Sequence, residues 1–166
     1  MKREKNIGTF IEFKIKNQEE TIKGVLIDYS DEWTVLYNNP VDFILDGIVL
    51  IKNSEIEEYK SHSPASLRMN IFNKKLIHLK QQKLDIGSSE KLFSSLFNKK
   101  ITVSISNVKD NLFSIGRVKS VQNSEILFET ISTNAKWSKK MEKLDIKKIS
   151  LIEYQTDYTE SLLVAL

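Results

Sequence analysis

Thr21-Ile22-Lys23-Gly24-Val25-Leu26-Ile27-Asp28-Tyr29 is a β-branched and aliphatic run with one glycine inside it. Ser30-Asp31-Glu32 closes it, and the shorter run Trp33-Thr34-Val35-Leu36-Tyr37 follows. Runs of this composition fit a pleated surface, and the Ser/Asp cluster between them is turn chemistry. A glycine inside a strand marks a bulge or sharp bend, which a small barrel needs to curve its sheet. The pattern then returns. Gly116-Arg117-Val118-Lys119 answers Gly24-Val25-Leu26-Ile27, and Glu125-Ile126-Leu127-Phe128 answers Trp33-Thr34-Val35-Leu36. Lys147-Lys148-Ile149 answers Ser54-Glu55-Ile56. A repeat longer than a solenoid unit means two copies of one small domain.

Upstream, Ile11, Phe13 and Ile15 alternate with Glu12, Lys14 and Lys16, a period of two that predicts a first strand. Asn17 to Glu20 is a polar turn. Downstream, a loop from Asn38-Asn39-Pro40 ends at Asp46-Gly47, a hairpin signal. Ile48 to Lys52 and Glu55 to Tyr59 complete five strands. The second copy predicts strands over Ile101 to Ser106, Leu112 to Val121 and Glu125 to Ile131. A loop from Ser132 to Lys140 holding Trp137 comes next, and Leu144 to Tyr154 reads as two strands or one bent strand.

Between the copies the period changes. Ser63-Pro64-Ala65-Ser66 reads as a helix start, followed by Leu67, Ile71, Leu76, Ile77 and Leu79. Gly87-Ser88-Ser89-Glu90 reads as another, followed by the stripe Leu92, Phe93, Leu96, Phe97 and closed by Lys99-Lys100. The apolar tail Leu162 to Leu166 is expected to dock as a strand or short helix. Each repeat spans roughly 60 residues, near the lower limit for a domain that folds alone. The copies are therefore expected to share apolar surface with each other or with the segment between them.

Five short strands with a glycine in the second resemble the Sm-like and SH3-like small barrels. Ile51-Lys52-Asn53-Ser54-Glu55-Ile56 is similar to the second Sm signature, with Lys52 in the arginine position and Asn53 in the glycine position. Asn53 tolerates the left-handed backbone that glycine supplies. Leu144-Asp145-Ile146-Lys147-Lys148-Ile149 keeps the framing apolar residues, with Asp145 in the arginine position. Gly24, Leu26 and Asp31 follow the first Sm signature, but its base-gripping asparagine is absent; in the second copy Gly116, Val118 and Asn123 follow it. The layout also resembles small uncharacterised bacterial proteins with duplicated barrels. The resemblance implies a mainly β fold of two tandem five-stranded Sm-like (SH3-like) small barrels. They span residues 1–60 and 101–166, with a helical linker over 61–100.

Composition narrows the function. The chain has 166 residues, 40% hydrophobic and 28% charged, an ordinary globular composition. It has no cysteine, which excludes thiolate nucleophiles and Cys-based metal sites. Met1 to Asn6 is basic, but Glu12, Lys14 and Lys16 interrupt the apolar residues between Ile7 and Lys16, so no signal-peptide core forms. No run reaches membrane-spanning length, and a cytoplasmic protein without membrane partners is expected. Net charge is +3, unevenly placed. Residues 1–60 hold 8 basic against 12 acidic side chains, 61–100 hold 8 against 2, and 101–166 hold 9 against 8. The basic middle reads either as a solvated helical face or as a footprint for phosphate.

No catalytic constellation emerges. His62 and His78 lack the i, i+4 spacing of a helical metal pair. Asp28, Asp31, Glu32, Asp42 and Asp46 are explained by turn chemistry. No enzyme activity, cofactor or metal is expected. The expected function is a non-enzymatic binding module for protein–protein interaction or assembly, as a monomer or small homo-oligomer. The alternative is binding of RNA or single-stranded nucleic acid through the basic linker and aromatic loops. Candidate binding residues are Trp33, Asn39, Lys52, Trp137, Lys139 and Lys140. Trp33 and Trp137 each read either as packed against a barrel or as exposed for stacking.

Overall fold

The computed structural model describes residues 7–63, 66–78, 82–107 and 109–166. The basic Met1 to Asn6, Pro64 and Ala65 of the first helix signal, and Leu79 lie outside them. The alternating segments fold as strands β1 (Phe10–Ile15), β2 (Thr21–Tyr29), β3 (Trp33–Asn38), β4 (Ile48–Lys52) and β5 (Ile56–Ser61). Helices α1 (Leu67–Leu76) and α2 (Ser89–Lys99) follow. Then come β6 (Thr102–Asn107), β7 (Leu112–Gln122), β8 (Glu125–Ile131), β9 (Trp137–Asp145), β10 (Leu151–Tyr154) and α3 (Asp157–Val164). Short 3-10 turns at Asn53–Glu55 and Ile146–Lys148 separate β4 from β5 and β9 from β10.

All ten strands form one antiparallel sheet in the order β5-β1-β2-β3-β4-β10-β6-β7-β8-β9. Each half therefore has the same order, with its fifth strand beside its first. The halves join where β4 pairs with β10, Ile48 to Ile51 facing Tyr154 to Leu151. The duplication extends to irregularities. Gly24 faces Asn38 and Gly116 faces Thr130, and both long strands slip register just beyond, at Leu26/Asp28 and Val118/Ser120. Both glycines are required by close approach rather than by backbone angle. A Cβ would meet the carbonyl oxygen of Tyr37 at 2.0 Å and that of Glu129 at 2.1 Å.

Two expectations are corrected. The segment from Ser132 to Lys140 is not all loop. Trp137 opens β9, where it pairs with Ile131 of β8. Asn53 does not take a left-handed backbone. It begins a 3-10 turn, and its side chain holds the β2–β3 turn instead. Its Nδ2 donates to the carbonyls of Ser30 (2.9 Å) and Asp31 (2.8 Å), and its Oδ1 accepts from Thr34 Oγ1 (2.7 Å).

The largest apolar cluster crosses the joint. Trp33, Val35, Ile48 and Leu50 pack with Leu92, Phe93 and Leu96 of α2 and with Ile105, Val118, Phe128 and Ile152 of the second half. Fully burying one such side chain stabilises by about 1.5–3 kcal/mol, so this shared cluster ties the halves firmly together. Helix α2 starts at the N-cap Ser88, whose side chain accepts from the Lys91 amide, and ends at Lys100, left-handed at φ 54°. Leu92, Phe93 and Leu96 are buried as their stripe implies, while Phe97 is exposed. Helix α1 covers a separate cluster, with Met69 and Phe72 against Phe10 and Val25. The apolar tail forms α3, which buries Leu162 but leaves Val164 and Leu166 exposed.

Candidate functional site

The six candidate binding residues do not converge. Trp33 is fully buried, and its indole Nε1 donates to Ser89 Oγ at 3.1 Å, which removes it from any stacking surface. Asn39 is also buried. Its Nδ2 donates to the carbonyls of Val41 (3.2 Å), Asp42 (3.0 Å) and Ile44 (2.6 Å), so it pins its own loop. Its Oδ1 has no hydrogen-bond partner among the described residues. Lys52 sits at the joint, where its Nζ donates to the Lys147 carbonyl at 3.1 Å. Three residues that read as contact points are thus parts of the framework. The other three share β9: Trp137 is half-buried, and Lys139 and Lys140 are exposed.

Two features remain open to a partner. The first is the pair of sheet edges. Strands β5 and β9 end the strand order, each paired on one side within the sheet. Their chemistry differs from the inner joint. β4 and β10 meet through Ile48, Leu50, Ile51, Leu151 and Ile152, all buried. β5 instead carries Glu57, Glu58 and Lys60, and β9 carries Lys139, Lys140 and Lys143 with Glu142 and Asp145. One edge leans acidic and the other basic.

The second is a cleft of about 520 Å³ between the end of α2 and β7, lined by Phe97, Asn98, Lys100, Arg117, Val118 and Lys119. Arg117 lies over the Trp137 ring, its guanidinium carbon 4.2 Å from the ring centroid. Its Nε donates to Glu129 Oε2 at 2.7 Å, and Lys119 Nζ lies 3.4 Å from the same oxygen. The hydrogen bond from Arg117 holds the Glu129 carboxyl below its ordinary range, with Lys119 adding to the effect. The carboxylate therefore stays charged and orients both cations. Sequence reading missed Phe97, Lys100, Arg117 and Lys119 as a group. The readable signal was Arg117 standing where the first copy has Val25, a cation in an apolar register position.

Two further carboxyls depart from their ordinary range. Thr21 Oγ1 donates to Glu12 at 2.8 Å, and this bond, aided by His62 3.5 Å away, lowers the Glu12 pKa. Burial raises that of Glu153, opposed by a 3.1 Å bond from Ser104 and reinforced by Asp46. No cluster of three or more metal-ligating side chains occurs among the described residues.

No family model, no curated protein and no solved structure matches the chain. Among the described residues, no helix is long and apolar enough to cross a membrane. The fold shown by the described residues is mainly β, with one open ten-stranded antiparallel sheet and three helices among them.

Proposed function

We propose that this protein is a non-enzymatic interaction module that takes up strands of protein partners along its two open sheet edges. The observation that carries this reading is the β4–β10 joint. The two halves already associate by strand addition, the mode in which main-chain hydrogen bonds supply affinity and side chains supply selectivity. We read the halves as tandem Sm-like (SH3-like) units over 1–60 and 101–166. The shared five-strand order, the paired glycines, the matching register slips and the two 3-10 turns support this.

Each unit presents one strand of the β4 kind and one of the β10 kind, and the joint consumes one of each. The leftovers, β9 and β5, are the same complementary pair. Charged edges block indiscriminate pairing. Here the acidic bias of β5 and the basic bias of β9 repel like edges and favour unlike ones, so a second copy satisfies both.

Light scattering across protein concentration tests this, with proline placed at Glu142 or at Lys143 of β9. Adjacent strand residues point their amides in opposite directions, so one proline removes an outward N–H and spares the β8 ladder. The expected result is a mass that rises with concentration and falls back to the monomer in one of the two variants. Monomers throughout assign the edges to a strand from another protein, and a partner whose retention ignores both prolines overturns the reading.

A further inference from the structure

The cleft beside Arg117 has a counterpart in the first half that shows what fits there. Phe10 faces Val25 and Val25 faces Tyr37, a stripe across β1, β2 and β3. Helix α1 lies over that stripe, with Phe72 tilted against Phe10 at 5.8 Å between centroids and Met69 and Leu76 in the same cluster. The matching stripe in the second half is Thr102, Arg117 and Glu129, in the same register across β6, β7 and β8. Phe10 gives way to the polar Thr102, and Val25 and Tyr37 to the ionic Arg117 and Glu129. Helix α3 follows β10 as α1 follows β5, but it reaches β6 and lines no part of the cleft.

We propose that this cleft docks an acidic, amphipathic helix of a partner protein. The lining carries three cations, and the one carboxylate held by two of them, Glu129, leaves the group net positive. Among the described residues, Arg117 makes its only side-chain hydrogen bond through Nε, so its terminal nitrogens are free to donate, and Lys100 Nζ has no partner. A carboxylate on the incoming helix takes the remaining guanidinium donors in a charge-assisted pair. Phe97, 42% exposed on the cleft wall, supplies the apolar contact that Phe10 gives α1. Helix-in-groove recognition needs both an apolar anchor and a charge pattern that selects the partner. The lining comes from α2 and β7 rather than from the edge strands, although Trp137 of β9 touches Arg117, and the proposal does not rest on the strand-addition reading.

The test uses a labelled synthetic helix with glutamates on one face and leucines on the other, followed by fluorescence anisotropy and by Trp137 emission. The expected result is saturable binding that weakens as salt is raised. Lys100→Glu with Lys119→Glu should weaken it at least tenfold, and a helix with lysines replacing the glutamates should regain affinity for that variant. Charge-swap rescue distinguishes docking from loss of fold. Proline in β9 at Glu142 or Lys143 should leave peptide binding in place, so failure of the edge reading is seen separately. Equal affinity for both peptides, no binding by the unaltered chain, or preferential binding of a single-stranded oligonucleotide of the same charge overturns the proposal.

Discussion

A Cβ added at Gly24 or Gly116 would lie 2.0 or 2.1 Å from a neighbouring-strand carbonyl oxygen, well inside contact distance. Backbone cannot yield there without breaking the ladder between the second and third strands of its half. Gly24→Ala and Gly116→Ala are each expected to cost about 3 kcal/mol in urea denaturation. Gly8→Ala is the control. Gly8 has φ +77° with nothing near its Cβ, so only left-handed strain of about 1–2 kcal/mol applies. Two carboxyls act oppositely with pH. Burial raises the Glu153 pKa, so its contribution is full below the ordinary glutamate range and is lost as pH rises through the folded value. Glu153→Gln should therefore melt higher than the unaltered chain at neutral pH and alike in acid. The Glu129 pKa is lowered by Arg117, so its contribution is present above the ordinary range and is lost as pH falls through the folded value. Glu129→Gln should melt lower at neutral pH, with the difference closing in acid. Melting curves across pH decide both.

Helix α2 shows how one element depends on a residue outside it. Glu32, in the β2–β3 turn, accepts from the Ser89 amide at 2.9 Å and from Ser89 Oγ at 2.5 Å. It supplies an acceptor and a negative charge to the first turn of α2, where orphan amides and the helix dipole favour both. Glu32→Ala is expected to destabilise by about 1–2 kcal/mol, with faster amide exchange in the first turn of α2. The start of α2 was legible in Gly87-Ser88-Ser89-Glu90 because capping chemistry is local, and so were Thr21–Tyr29 and Ile48–Lys52, whose bounds match the predicted runs. The link from Glu32 was not legible, because it joins residues far apart in the chain. Trp137 was assigned to a loop because Asn134, Lys136, Lys139 and Lys140 make its surroundings polar. An exposed edge strand carries such residues on both faces, so the alternation that betrays an inner strand is absent. Trp33 stayed ambiguous for the opposite reason. Its cluster includes α2 and second-half residues distant in sequence, beside Val35, Ile48 and Leu50 of its own half.

At the scale of the whole chain, the shared cluster makes a prediction about folding. A repeat protein whose units touch through a polar interface unfolds in steps, whereas units joined by a continuous core unfold together. Here Trp33, Ile48 and Leu50 share one cluster with α2, and β4 continues into β10 through buried residues on both sides. Separating the halves would expose these side chains, at about 1.5–3 kcal/mol for each one fully uncovered. That loss falls on units already near the lower size limit for stable folding. A single calorimetric transition is expected, with van't Hoff and calorimetric enthalpies equal. Residues 7–78 expressed alone should show red-shifted Trp33 emission and a broad, weakly cooperative melt. Adding residues 82–166 should restore the blue-shifted emission, because the second piece supplies α2 and the strand that β4 lacks. Two resolved transitions, or a first half that keeps Trp33 buried alone, would mean that the joint is a docking contact between autonomous units. The edges β5 and β9 would then be governed by the same weak rules as the joint itself.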